Sequence, residues 1–188
     1  LEHNFGHHKN VSTPEDPATA KYNQPVYSFW VTSVFGQLKS ALQIQRRLVR
    51  HKKGLEALWH NDLLWYVLAQ SLYLVLVYVV FGFNALLWGL IVALVAVLLL
   101  ETTNYIEHYG LMRPKKASGR YAPVKEIHSW NSNHLMGRIL LYELTRHSDH
   151  HYRSQKKYQL LDHHPTSPEL PFGYPTSIVL SLLPPLWF

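Results

Sequence analysis

Residues 63–100 read LLWYVLAQSLYLVLVYVVFGFNALLWGLIVALVAVLLL, an apolar run in which Gln70 is the only strongly polar side chain before Asn84. A helix needs about 20 apolar residues to cross the hydrocarbon core of a bilayer. Two such segments fit, residues 63–83 and 85–100, with Gly82-Phe83-Asn84 as the turn between them. Inside lipid only a helix satisfies all its own backbone polar groups, so the run predicts a transmembrane helical hairpin. The alternative is a pair of long buried helices in a soluble bundle.

The flanks carry the charge. Lys and Arg are absent from residues 54–112, while Arg46, Arg47, Arg50, Lys52 and Lys53 precede the hairpin and Arg113, Lys115, Lys116 and Arg120 follow it. The positive-inside rule then places both flanks on the cytoplasmic side, as an even number of crossings requires. Residues 27–50 mix apolar side chains with arginines towards the end, the pattern of an amphipathic helix at a membrane surface or on a bundle. The basic run 46–53 reads as an anchor for lipid headgroups or as a docking patch for an acidic redox partner. Thr13-Pro14-Glu15-Asp16 resembles a helix N-cap with Pro in the first position. Residues 114–123 form a loop, residues 133–153 a helix, and residues 176–183 a segment too short to span before Pro184-Pro185. Gly110 is positioned to end the second span. The first residue is not Met, and the chain reads as an internal piece of a longer protein, truncated at both ends.

Histidine supplies the chemistry. Of 13 His, three lie in LEHNFGHHKN as His3, His7 and His8, and three in LTRHSDHHYRSQKKYQ as His147, His150 and His151. The spacing of the second set puts three imidazoles on one face of a helix within a turn. A helix gains nothing from stacking imidazoles, which repel once protonated, whereas neutral imidazole is the commonest protein ligand for Fe, Zn, Cu and Ni. His108, about 35 Å along a helix begun at Ala85, emerges at the same end of the span as the other two sets. With no Cys, disulfides, Fe–S clusters and thiolate zinc sites are excluded. No Glu-x-x-His and no His-Glu-x-x-His occurs, which argues against carboxylate-bridged bundles and the commonest zinc hydrolase helix. Seven imidazoles exceed what one closed site of four ligands takes, so two ions are the economical reading.

Three segments carry a specific resemblance: Glu2-His3-Asn4-Phe5-Gly6-His7-His8, Asn104-Tyr105-Ile106-Glu107-His108-Tyr109-Gly110, and Leu144-Thr145-Arg146-His147-Ser148-Asp149-His150-His151. They are similar to the boxes of integral-membrane alkane 1-monooxygenases, within the histidine-box membrane di-iron oxygenases and desaturases. The second segment is the one that points to alkane hydroxylases. The resemblance extends over essentially the whole chain, Ser129-Trp130-Asn131-Ser132-Asn133-His134 and Pro184-Pro185-Leu186-Trp187-Phe188 included. It implies an all-α integral membrane helical bundle, with the transmembrane hairpin and cytoplasmic-side histidine-rich helices, in which residues 1–188 are part of a single domain. It also implies a bacterial inner membrane, two non-haem Fe ions, and terminal hydroxylation of an n-alkane with O2. Electrons would come from rubredoxin, with rubredoxin reductase and NADH upstream; membrane lipids are the surroundings and no nucleic acid is expected. By matching motif positions, His3, His7, His8, His108, His147, His150 and His151 are the implied ligands. The family's first box, His-Glu-x-x-His-Lys, does not occur here, so this stretch alone is expected to be inactive.

Glu107 and Asp149 adjoin implied ligands and could orient imidazole N–H groups; a solvated or capping carboxylate is the alternative for each. His134 reads as a hydrogen-bonded structural residue, and His51, His60, His128, His163 and His164 as surface or packing residues. Rival functions are a fatty-acyl desaturase or another hydrocarbon hydroxylase such as a xylene monooxygenase, a membrane metal-binding or transport protein, and a zinc-dependent membrane hydrolase. A transporter would place ionisable groups inside the spans, and residues 63–100 hold none of Asp, Glu, Lys, Arg or His.

Overall fold

A computed structural model describes residues 1–188. The regular structure of the chain is helical, with no extended strand and only two isolated bridge pairs. It opens with a π-helix, His3–His7, that runs into a single turn α1 (His8–Asn10). Then come α2 (Val26–Val49), the short α3 (Gly54–Trp59) and the 47-residue α4 (Asp62–His108). Further on are α5 (Leu135–Leu140), α6 (His147–Tyr152), α7 (Gly173–Ser181) and α8 (Pro184–Trp187), all short.

The long element is a hairpin. As a straight helix, its 47 residues would hold their ends about 70 Å apart. Both ends instead dock on α2: Gln37 Nε2 donates to the Glu101 carboxylate at 2.9 Å, and Gln45 Nε2 to the His60 carbonyl at 2.9 Å. These two glutamines are about 12 Å apart along α2. The fold-back occurs at Gly82, whose φ of 81° and ψ of 179° lie where only glycine is at ease. The Asn61 side chain caps the first arm by accepting from the Leu64 N–H. Along both arms the apolar side chains face outward, with Tyr73, Val79, Phe81 and Val92 all more than 60 % exposed. Such a surface suits lipid, and each arm is long enough to cross it.

The second arm continues past Leu100 as predicted, unbroken to His108, and Gly110 follows at φ 70° with its N–H on the Ala20 carbonyl. Around this extension gathers the small apolar core: Ala20, Val26, Phe29, Tyr105, Ile106, Leu170 and Tyr174. Tyr105 donates to the Gln24 carbonyl at 2.6 Å and Trp30 to Thr102 Oγ1 at 3.0 Å, fixing the start of α2 against the end of α4. Of residues 176–183, read from sequence as an incomplete segment, 176–181 lie in α7, which packs on the same extension through Tyr174.

Two expectations fail locally. Thr13-Pro14-Glu15-Asp16 caps no helix; the segment is a chain of turns, because Pro17 follows three residues after Pro14 and leaves no room for a helical turn. The single helix expected over residues 133–153 is broken between α5 and α6, where Tyr142 and Glu143 take φ of 52° and 62°. Glu143 is held there by a two-pronged pair with Arg138 at 2.8 Å and by Arg146 at 3.2 Å. The break frees α6 to turn its histidines inward.

Candidate metal centre

The π-helix explains the first histidine set. With i→i+5 bonding it has more than four residues per turn, so His3 and His8 fall on one face. Their Nε2 atoms lie 3.0 Å apart. Gly6 leaves room in this turn for the buried Glu2 carboxylate, whose Oε1 accepts from Ser40 and which a Cβ here would displace. The last turn of α4 supplies His108 and α6 supplies His147, His150 and His151.

All seven rings converge. His7, His108, His147 and His151 form one group, every ring buried, with one ring nitrogen from each lying within 4.8 Å of the others. His3, His8 and His150 form a second group under the same limit, more open to solvent. The groups are contiguous: the His8 and His151 ring centroids are 4.7 Å apart, and those of His147 and His150 5.6 Å. Sequence neighbours are divided between them, His7 from His8 and His151 from His150.

The donors fit a metal ion. His147 Nε2 lies 3.1 Å from His108 Nε2 and 2.9 Å from His151 Nε2. Two ligands of one ion, each about 2.1 Å from it, are separated by roughly 3.0 to 3.4 Å at octahedral or tetrahedral angles. His7 Nε2 is buried with no hydrogen-bond partner, an orphan that a cation would satisfy. Burial first, and repulsion from neighbouring rings second, push His147 and His151 well below the ordinary imidazole value, His3 to about 4 and His8 to about 3. Those four rings are therefore neutral at physiological pH, the form in which imidazole binds metal. An all-nitrogen donor set suits Fe, Zn, Cu or Ni and not Mg or Ca.

Surrounding groups orient these rings. His7 Nδ1 meets Asp16 Oδ2 at 2.9 Å, and that carboxylate also accepts from Thr19 Oγ1 and the Ala18 N–H. Asn131 Oδ1 accepts the Ser148 N–H at the start of α6, and Ser129 Oγ stands 3.5 Å from His108 Nδ1. Glu107 reaches the buried group directly, its Oε2 3.3 Å from His147 Nε2 and its Oε1 accepting from Tyr174 at 2.7 Å. Asp149 turns away from the rings. It accepts from Lys156 Nζ, His164 Nε2 and the Asp162 N–H, closing the loop after α6.

Asp16 and Tyr174 escaped the sequence reading. Asp16 is only nine residues after His7, but no spacing rule marks a turn carboxylate as an imidazole's partner. His134 is exposed, its ring lying against Gly173. His163 pairs with Glu169, and His128 is buried with Nδ1 accepting the Lys125 N–H.

A membrane hairpin ending in a nest of converging imidazoles defines a histidine-rich membrane metalloprotein. Residues 1–176 match the family model described as fatty acid desaturase, and the chain belongs to that family. Over 188 residues it is 42 % identical to alkane 1-monooxygenase 2 of Pseudomonas aeruginosa, covering 100 % of this chain and 50 % of that protein. It is 40 % identical to an alkane 1-monooxygenase of Acinetobacter baylyi, covering 100 % of this chain and 46 % of the relative. Similarity at 29 % reaches the xylene/toluene monooxygenase hydroxylase component XylM of Pseudomonas putida, over 100 % of this chain and 49 % of that protein. The chain spans about half the length of the curated relatives it matches.

Proposed function

We propose that the chain is the metal-binding part of an enzyme that hydroxylates the terminal carbon of n-alkanes with O2. Electrons reach it from rubredoxin, supplied in turn by rubredoxin reductase and NADH. The observation that carries this reading is the convergence of seven imidazoles into two adjoining groups at the foot of an apolar hairpin. Two irons are the assigned occupants, with His7, His108, His147 and His151 holding one and His3, His8 and His150 contributing to the other. Names of relatives favour alkane as substrate.

Bound iron would supply the redox chemistry that activates O2 towards an unreactive C–H bond. The protein's share is positional. Asp16 orients the His7 ring and Asn131 accepts a backbone N–H at the start of α6, so both ring-bearing turns are aimed at the centre that an ion then orders. Burial of His108, His147 and His151 keeps bulk water from one side of the centre. The apolar face of α4 offers a wall along which an alkane could lie without desolvation cost. With basic residues on both flanks of the hairpin, the centre is assigned to the cytoplasmic face of a bacterial inner membrane.

The test uses protein expressed from the complete coding sequence. His147→Ala and His108→Ala are each expected to abolish conversion of octane to 1-octanol and to lower bound iron; turnover retained in either refutes the ligand assignment. A desaturase or an aryl-methyl hydroxylase, suggested by the family's description and by the likeness to XylM, would instead give an alkene or a benzylic alcohol from its own substrate.

A further inference from the structure

Where α2 passes the start of the first hairpin arm, a groove of about 330 Å³ lies between the two helices. Five apolar side chains line it, Leu42 and Val49 from α2 and Leu63, Leu64 and Val67 from α4. From Leu63 to Val67 the arm runs about 6 Å towards the hydrocarbon core, so the groove is continuous with the lipid-facing surface of the hairpin.

The other end of the groove is polar. Arg46 shares a face of α2 with Leu42 and Val49, an exposed guanidinium on an apolar stripe. Arg138, Arg146 and Arg153 find carboxylates within the chain; Arg46 finds none. Asn61 spends its side-chain oxygen on the Leu64 N–H at 3.2 Å, which leaves its amide N–H groups free to donate. Gln45 is the reverse case. It is 3 % exposed, its Nε2 donates to the His60 carbonyl at 2.9 Å, and its Oε1 has no partner in the chain. A buried acceptor left open is costly, and a ligand's hydroxyl would relieve it. The groove therefore offers donors for an anion and an acceptor for a hydroxyl, beside a bed of apolar side chains. Its surroundings favour an anion as well. Arg46, Arg47, Arg50, Lys52 and Lys53 outnumber Asp62 and Glu56, and Glu56 is already paired with Lys52 at 2.7 Å.

We propose that this groove is a binding site for one molecule of phosphatidylglycerol. Its phosphodiester accepts from Arg46 and Asn61, a glycerol hydroxyl donates to Gln45 Oε1, and an acyl chain lies over Leu63, Leu64 and Val67. Phosphatidylcholine has neither the net charge nor the donor, and phosphatidylethanolamine lacks the net charge. Bridging α2 and α4, the lipid steadies the helix whose Ser40 meets Glu2 beside the first histidine set. The proposal depends on neither the metal nor the substrate assigned above.

Protein expressed from the complete coding sequence is purified in mild detergent and given equal amounts of phosphatidylglycerol, phosphatidylethanolamine and phosphatidylmethanol. The last is equally anionic but has no headgroup hydroxyl. Native mass spectrometry then counts the lipid that each protein keeps. The wild type is expected to keep one phosphatidylglycerol in preference to both others. Arg46→Gln should lower that retention about fivefold. Arg47→Gln removes the same charge one residue along, where the side chain lines a separate groove with Lys9 and Lys39, and should keep retention within about twofold of wild type. Both arginines are exposed, so neither variant is expected to unfold. Equal loss in the two variants would reduce the effect to surface charge and overturn the site. Equal retention of phosphatidylethanolamine or phosphatidylmethanol overturns the choice of headgroup. No retained lipid in the wild type overturns the proposal, the groove then being covered by another part of the complete protein or merely bathed in exchanging lipid.

Discussion

Asp16 Oδ2 lies 2.9 Å from His7 Nδ1, both side chains buried, so that the opposite ring nitrogen faces the other three buried imidazoles. A carboxylate in this position fixes both the tautomer and the ring orientation. Asp16→Ala is therefore expected to weaken metal binding by about 10- to 100-fold in competition with a chelator. Asp16→Asn should lose less, because it retains an acceptor. Wild-type retention of metal in Asp16→Ala would sink the assignment.

Acid is expected to destabilise the metal-free protein well before its carboxylates titrate. His3 is held at about 4 and His8 at about 3, and His147 and His151 well below the ordinary value, by burial and then by one another. The unfolded chain takes up protons near pH 6.5 that the folded cluster refuses. Stability is thus fully present above about pH 6.5 and falls as pH drops towards 4. Melting temperature should hold from pH 7.5 to about 6.5 and decline from there to pH 5; no decline below about pH 6.5 would contradict the neutral state of these rings.

Asp149 is expected to matter through the fold. Burial alone would raise its pKa, but hydrogen bonds from the Asp162 N–H, His164 and Lys156 outweigh it and bring the carboxyl to about 2. Asp149→Ala strands three donors and should cost about 2 to 4 kcal/mol. The check is proteolysis of residues 153–165, expected to accelerate while the spectrum of metal bound to the four buried rings is preserved. Metal loss without faster cleavage would assign Asp149 to the site instead.

Gly82 and Gly89 offer a matched pair on the hairpin. Neither has an atom within 4 Å of where a Cβ would sit, but only Gly82 has positive φ. Gly82→Val is expected to cost about 1 to 3 kcal/mol from backbone strain alone. Gly89→Ala should be neutral or mildly stabilising. Thermal unfolding in detergent distinguishes them, and equal behaviour would mean that the turn is made elsewhere.

The parts of the molecule legible in the sequence are those where residue type alone carries the information. Uniform hydropathy over residues 63–100 marks the hairpin, and the position of His108 follows from helical rise once its start is fixed. Histidines in three separate segments announced a common destination because few other roles would favour such a pattern. What stayed hidden depends on backbone choices that composition does not dictate. The π-turn that brings His3 to His8 differs from an α-turn by one hydrogen-bond register. The left-handed Tyr142 and Glu143 divide a helix that helical spacing alone would continue. Asp16 looked like an acid in the first turn of a helix because local pattern cannot foresee a buried imidazole as its partner.

The division of sequence neighbours between the two ring groups has a thermodynamic consequence. One cation drawn in by His7 and His151 freezes the very backbone turns that present His8 and His150. The entropy of ordering those turns is then largely spent before the second cation arrives. Uptake should accordingly be sigmoidal, with half-loaded molecules scarce at intermediate metal concentration.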